Sequence, residues 1–75
     1  MFNKHTLYHT DGCHLCEQAY SLIVQTGLQQ QTLLQDIIED EQLMEEYQSV
    51  IPVLEFASGK KLYWPFSKEN ILEYK

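Results

Sequence analysis

The 75-residue sequence contains no arginine, and its only basic side chains are five lysines set against eleven acids, a formal net charge of −6. A nucleic-acid binder draws much of its affinity from neutralising phosphates, and an anionic membrane surface also recruits basic clusters. Neither nucleic acid nor membrane is therefore expected as a partner. No apolar run approaches the roughly 18 residues needed to cross a bilayer. Met1-Phe2-Asn3-Lys4-His5 has no apolar stretch behind its basic residue, so no leader is read there and the expected location is cytoplasmic. Cysteine is scarce: Cys13 and Cys16 are too few for the disulfide framework of a small secreted domain. Repeats, linkers and low-complexity tracts are missing too, Gln29-Gln30-Gln31 being too short to count as one. What is present is a 44% hydrophobic chain, enough for a packed core in one small domain spanning 1–75, expected to be a monomer.

The apolar pattern predicts a first strand from Lys4 to His9, with His5, Leu7 and His9 on one face and Thr6 and Tyr8 on the other. Thr10-Asp11-Gly12 forms a turn. A helix follows from Cys13 or His14 to Thr26, its buried face carried by Leu15, Ala19, Leu22, Ile23 and Thr26, with Tyr20 and Val24 as a second stripe and Gly27 as its stop. A second strand spans Thr32 to Ile37. The acids Glu39-Asp40-Glu41 suit the start of a helix reaching Tyr47, where they complement its dipole. The acidic run Glu39-Asp40-Glu41 with Glu45 and Glu46 reads as a solvated helix face, with a partner-docking patch as the alternative. Val50 to Phe56 reads as a buried strand with Pro52 near its start. Ala57-Ser58-Gly59-Lys60 turns the chain into a partner strand, Lys61 to Trp64, and Pro65 ends it. Ser67 caps a last helix to Tyr74. The order β-α-β-α-β-β-α predicts an α/β fold: a right-handed parallel crossover, a closing antiparallel hairpin, hence a four-stranded mixed sheet with helices on both faces.

Cys13-His14-Leu15-Cys16 lies where a turn enters a helix. Residues three apart on a helix are neighbours, about 5–6 Å between Cα atoms, which a disulfide bridges without large backbone movement. Free N–H groups and the positive end of the helix dipole stabilise a thiolate on Cys13, the reactive form of the residue. Cys16, one turn further in, suits the resolving role. A protonated His14 favours ionisation, whereas Asp11 and Glu17 oppose it, and the net sign is left open. A zinc site needs four ligands, typically two such pairs; with one pair and the scattered His5, His9 and His14, no metal is expected. Trp64 and Phe66 read either as an aromatic shelf for substrate or as packing at the sheet edge. His5 and His9 read as ordinary strand residues. An Ile51–Pro52 bond costs only about 0.5–1 kcal/mol to hold cis, and in that form its Ile51 amide would face an incoming extended chain; a trans proline that starts a strand is the alternative.

The segment Leu7-Tyr8-His9-Thr10-Asp11-Gly12-Cys13-His14-Leu15-Cys16 resembles the strand–turn–Cys-x-x-Cys segment of glutaredoxins, and Ile51-Pro52-Val53-Leu54 resembles the segment that carries their cis-proline. From Lys4 to Tyr74 the element order is similar to the minimal thioredoxin fold. The resemblance implies a cytosolic thiol–disulfide oxidoreductase with Cys13 as nucleophile, Cys16 as resolving thiol and a cis Pro52 beside them, with no metal or organic cofactor. Ile51, His14, Thr10 and Trp64 are the candidate substrate-binding residues. The pattern departs from glutaredoxins in three places. Thr10 stands where they carry a glutathione-binding lysine, and Glu17 where they carry a basic residue. Tyr63-Trp64-Pro65-Phe66-Ser67 replaces their Gly-Gly segment, and Pro65 has no N–H to offer. Glutathione is thus expected to be at best a weak co-substrate, and protein disulfides, with re-reduction by a thioredoxin-type reductase system, are the expected partners. The alternative function is a non-catalytic thioredoxin-fold adaptor or redox-sensing binding module.

Overall fold

A computed structural model describes residues 4–75; the leader reading on Met1, Phe2 and Asn3 lies outside the described residues. The chain runs β1 (His5–His9), α1 (His14–Gln25), a 3₁₀ turn (Gln29–Gln31), β2 (Thr32–Asp36), a second 3₁₀ turn (Ile37–Glu39), α2 (Glu41–Tyr47), β3 (Val53–Glu55), β4 (Lys61–Tyr63) and α3 (Lys68–Tyr74). The strands form one sheet in the order β2-β1-β3-β4. β1 pairs parallel with β2, Leu7 facing Leu34, and antiparallel with β3, Tyr8 facing Val53; β3 pairs antiparallel with β4, Leu54 facing Leu62. This is the α/β fold with a four-stranded mixed sheet that the element order predicts.

The period-two alternation of the strands divides the interior into two apolar clusters. On one face Leu7, Leu54 and Phe56 meet Ala19 and Ile23 of α1 and Ile71 of α3. On the other, Val53 meets Ile37 and Tyr47, with Tyr8, Leu43, Met44 and Ile51 packed around them. Fully burying each such aliphatic side chain contributes about 1.5–3 kcal/mol, so the helices are held by the sheet far more than by their own propensities. That dependence is strongest for α2 and α3, each only seven residues long. Local signals set their ends. Asp40 Oδ1 accepts from the Gln42 N–H at 2.8 Å to start α2. Ser67 and Asn70 form a reciprocal capping box at the start of α3, 3.1 and 3.0 Å. At the end of α1 the Leu28 N–H reaches the Ile23 carbonyl and the Gly27 N–H the Val24 carbonyl, a Schellman closure that requires the positive φ of 78° glycine adopts easily.

Several boundaries differ from those the sequence predicts. The third strand is shorter than Val50 to Phe56, because the Val50 and Ile51 amides both donate back to the Tyr47 carbonyl (2.9 and 3.1 Å) and Pro52 has no N–H. The second strand stops at Asp36, whose side chain accepts from the Ile38 N–H and turns the chain into the 3₁₀ segment. On α1 the buried stripe is Cys16, Ala19 and Ile23; Leu15, expected in the core, lies on its flank and is exposed, as are Tyr20 and Val24. α1 is therefore covered along one stripe.

Candidate active site

The turn after β1 carries the cysteines. Gly12, at φ 78°, makes the left-handed step that few other residues take without strain, and delivers the chain to the head of α1. Cys13 is the N-cap of that helix, with extended backbone, and its Sγ accepts the backbone N–H of Cys16 at 3.1 Å. Its carbonyl already accepts the first helical bond, from the Glu17 N–H at 3.1 Å. Serine and aspartate commonly fill such a cap; here a sulfur takes the place of their oxygen, at the end of the helix where the dipole favours negative charge.

Cys13 and Cys16 form a disulfide with their Cα atoms 5.2 Å apart, inside the range expected from helical spacing. The two halves differ in access. Cys13 is partly exposed, whereas Cys16 is 5% exposed and belongs to the buried stripe of α1. Cys13 is thus the more accessible sulfur of the pair.

The sequence-derived candidates fall into two groups. Thr10 is half-buried and lines a cavity of about 260 Å³ that opens beside both cysteines. Pro52, Ile51 and Trp64 gather on the other side of β1. Continuing the β1–β3 register one step brings Pro52 across from His9, at the end of β1 from which the cysteine turn departs. Pro52 is fully buried, its bond to Ile51 is cis, and its carbonyl accepts the Trp64 N–H at 3.2 Å. The Trp64–Pro65 bond is also cis. Trp64 is half-buried, edge-on to Phe66 with ring centroids 5.1 Å apart, and packs against the α1–α3 cluster, which favours packing over an open shelf. The Ile51 amide departs from the sequence reading: it donates to the Tyr47 carbonyl at 3.1 Å and is not free for an incoming chain. His14 stands in solvent, 92% exposed, its Nδ1 3.9 Å from Glu17, and does not line the cavity.

Seven further lining residues are not among the candidates, His9, Tyr20 and Leu34 among them; His9, read from sequence as an ordinary strand residue, borders the cavity beside the cysteines. The sequence signal for Tyr20 was its i+4 spacing from Cys16, which puts the two on one side of α1. Leu34 is placed by its parallel pairing with Leu7, a relation no local pattern contains. Among the described residues, no cluster of three or more His, Cys, Asp or Glu is placed to hold a metal ion, and no helix is long and apolar enough to cross a membrane.

Comparison with known proteins agrees with this geometry. Residues 4–74 match the family described as glutaredoxin-like domain (DUF836). The X-ray structure of the Northeast Structural Genomics target protein XcR50 from X. campestris is similar at 33% identity and TM-score 0.84, over 93% of this chain and 92% of that one. The solution structure of the same target is similar at 32% identity and TM-score 0.83, over 95% and 90%. No match is found among curated proteins.

Proposed function

Because this chain belongs to the glutaredoxin-like domain family, we propose that it is a thiol–disulfide oxidoreductase in which Cys13 attacks and Cys16 resolves. The observation that carries the reading is the contrast within the pair: an accessible sulfur at a helix N-cap, holding an N–H bond, tied to a buried one. In the reduced form the Cys13 thiolate attacks one sulfur of a substrate disulfide. A Cys13–substrate disulfide forms, and the other substrate sulfur leaves as thiolate and takes a proton from water. The Cys16 thiolate then attacks the Cys13 sulfur and releases the second substrate thiol. Two electrons pass to the substrate, and the product is the Cys13–Cys16 disulfide seen here. A dithiol reductant of the thioredoxin type restores the pair.

Protein disulfides suit this site better than glutathione. Thr10 and Glu17 supply no cation, Pro65 supplies no amide, and a net charge of −6 repels an anionic tripeptide. One cysteine pair in a chain otherwise free of cysteine fits a reducing compartment, the cytoplasm. The test is Cys16→Ser. With oxidised protein substrates it should accumulate mixed disulfides at Cys13, identified by mass spectrometry, whereas Cys13→Ser should accumulate few. Better trapping by Cys13→Ser would reverse the roles. A pair that cycles between dithiol and disulfide yet reduces no substrate would assign the chain to the adaptor alternative.

A further inference from the structure

The cavity beside the disulfide lies between α1 and β2, on the side of β1 away from Pro52 and Trp64. Leu7, Leu34 and Tyr20 supply its apolar lining, both cysteines border it, and Asp11, Glu17 and the imidazole of His9 line it as well, Glu17 with its Oε1 3.9 Å from the solvent-exposed His14 Nδ1. None of the five lysines lines it. At about 260 Å³ it falls below the roughly 300–1,000 Å³ of pockets that take whole small molecules. It is large enough for one side chain.

We infer that this cavity receives a lysine or arginine side chain flanking the reacting cysteine of the substrate polypeptide. The inference rests on the oxidoreductase reading above and adds a substrate class to it. A long cationic side chain matches both halves of the lining. Its methylene stem matches the apolar Leu7 and Leu34, and its charged head matches the carboxylates of Asp11 and Glu17 and the aromatic ring of Tyr20, a residue 38% exposed. A purely apolar side chain would leave these carboxylates unused, and an acidic one would be repelled by them. The net charge of −6 steers basic segments toward the same place before contact. Cys13 sits on the border of the cavity, so a substrate sulfur bonded to it holds the neighbouring side chain within reach.

The experiment compares short disulfide peptides that differ only in the residue beside cysteine: lysine, norleucine or glutamate. Reduction by the protein is followed under a chemical dithiol that regenerates the pair, with neutral 2-hydroxyethyl disulfide as a further substrate. Two exposed ion pairs and one cation–π contact predict kcat/KM about tenfold higher for the lysine peptide than for the glutamate peptide, with norleucine between. In Asp11→Asn/Glu17→Gln that ratio should fall to about twofold or less. In Glu45→Gln/Glu73→Gln, which removes the same charge from exposed positions outside the cavity, it should stay above about fivefold. A ratio near one in the parent protein overturns the inference, as does an equal loss in both double variants, which would assign the preference to the overall field. Failure to reduce even the neutral disulfide overturns the oxidoreductase reading itself, and the inference with it.

Discussion

The backbone N–H of Cys16 donates to the Sγ of Cys13 across 3.1 Å, so the buried member of the pair holds the accessible one by its main chain as well as by the bond between their sulfurs. That N–H belongs to the backbone and stays in place when the disulfide opens. A charge-assisted bond from it to a Cys13 thiolate would be stronger than one to a neutral sulfur. After reduction, iodoacetamide at pH 7 should modify Cys13 at least about tenfold faster than Cys16, in keeping with thiolate stabilisation at the helix end and with burial of Cys16. Mass mapping after timed quenching reads this directly. Equal rates would mean that the helix end confers no advantage.

Thr10 borders the cavity at the position where glutaredoxins carry a lysine. Thr10→Lys places a cation beside the disulfide of an otherwise acidic protein. If charge limits the use of glutathione, the variant should raise the glutathione-dependent rate by about two- to fivefold, the worth of one exposed ion pair. The gain should fade as salt screens it. An unchanged rate would point to the Tyr63-Trp64-Pro65-Phe66-Ser67 segment as the barrier instead.

Beneath α2, the Tyr8 hydroxyl donates to Glu55 Oε1 at 2.7 Å while its ring stacks on Tyr47 at 4.4 Å. Burial raises the Tyr8 phenol well above the ordinary tyrosine range, and the Glu55 carboxylate raises it further. A group whose folded pKa is raised adds stability that is complete below its unfolded pKa, about 10, and lost as pH climbs toward the folded value. Tyr8→Phe should therefore lower stability by about 1–3 kcal/mol at pH 7, since it leaves Glu55 without this donor. It should also weaken the fall in stability above pH 10. Urea titrations at pH 7 and 10.5 measure both effects.

His5 accepts the Ala57 N–H through Nδ1 at 3.0 Å, pinning the β3–β4 hairpin to β1, and its ring meets Phe56 edge-on. Burial lowers its pKa below 6.5. The sign is opposite to that of Tyr8: the contribution is complete above pH 6.5 and is lost as pH falls through the lowered folded value. Protonation at Nδ1 would also end its role as acceptor. His5→Phe keeps the aromatic contact, so its Tm should fall less than that of the parent protein between pH 7.5 and 5. Parallel Tm profiles would exclude His5 as a source of acid sensitivity.

Ile71 is completely buried between α3 and the sheet, whereas its neighbour Leu72 is 47% exposed. Ile71→Ala should cost about 2–5 kcal/mol, enough to unfold much of a domain this small, and Leu72→Ala about 0.5 kcal/mol or less. Chemical denaturation of the two variants separates a packed helix from one that only rests on the surface.

Much of this molecule can be read from its residues because its signals are local. Gly27, Asp40 and Ser67 announce helix ends through their own backbone or side-chain chemistry, and the three-residue spacing of Cys13 and Cys16 already implies that they can join. The misreadings share another cause. Leu15 has the right period for the core, but period does not say where the covering element stops. The Ile51 amide was assigned to a partner outside the molecule because nothing in Val50-Ile51-Pro52 shows that the Tyr47 carbonyl lies in reach. Tyr20 and Leu34 acquire a common role only when the parallel crossover sets β2 beside β1.

The division of the interior into two unequal clusters has a dynamic consequence. α2 rests on the smaller one, is seven residues long, and carries the Tyr47 carbonyl that fastens the chain just ahead of Pro52. Amide protons of α2 should exchange with solvent sooner than those in the middle of α1, through openings that leave the larger cluster intact. Each such opening would also break the bond from the Ile51 N–H to the Tyr47 carbonyl and so loosen the chain just ahead of Pro52.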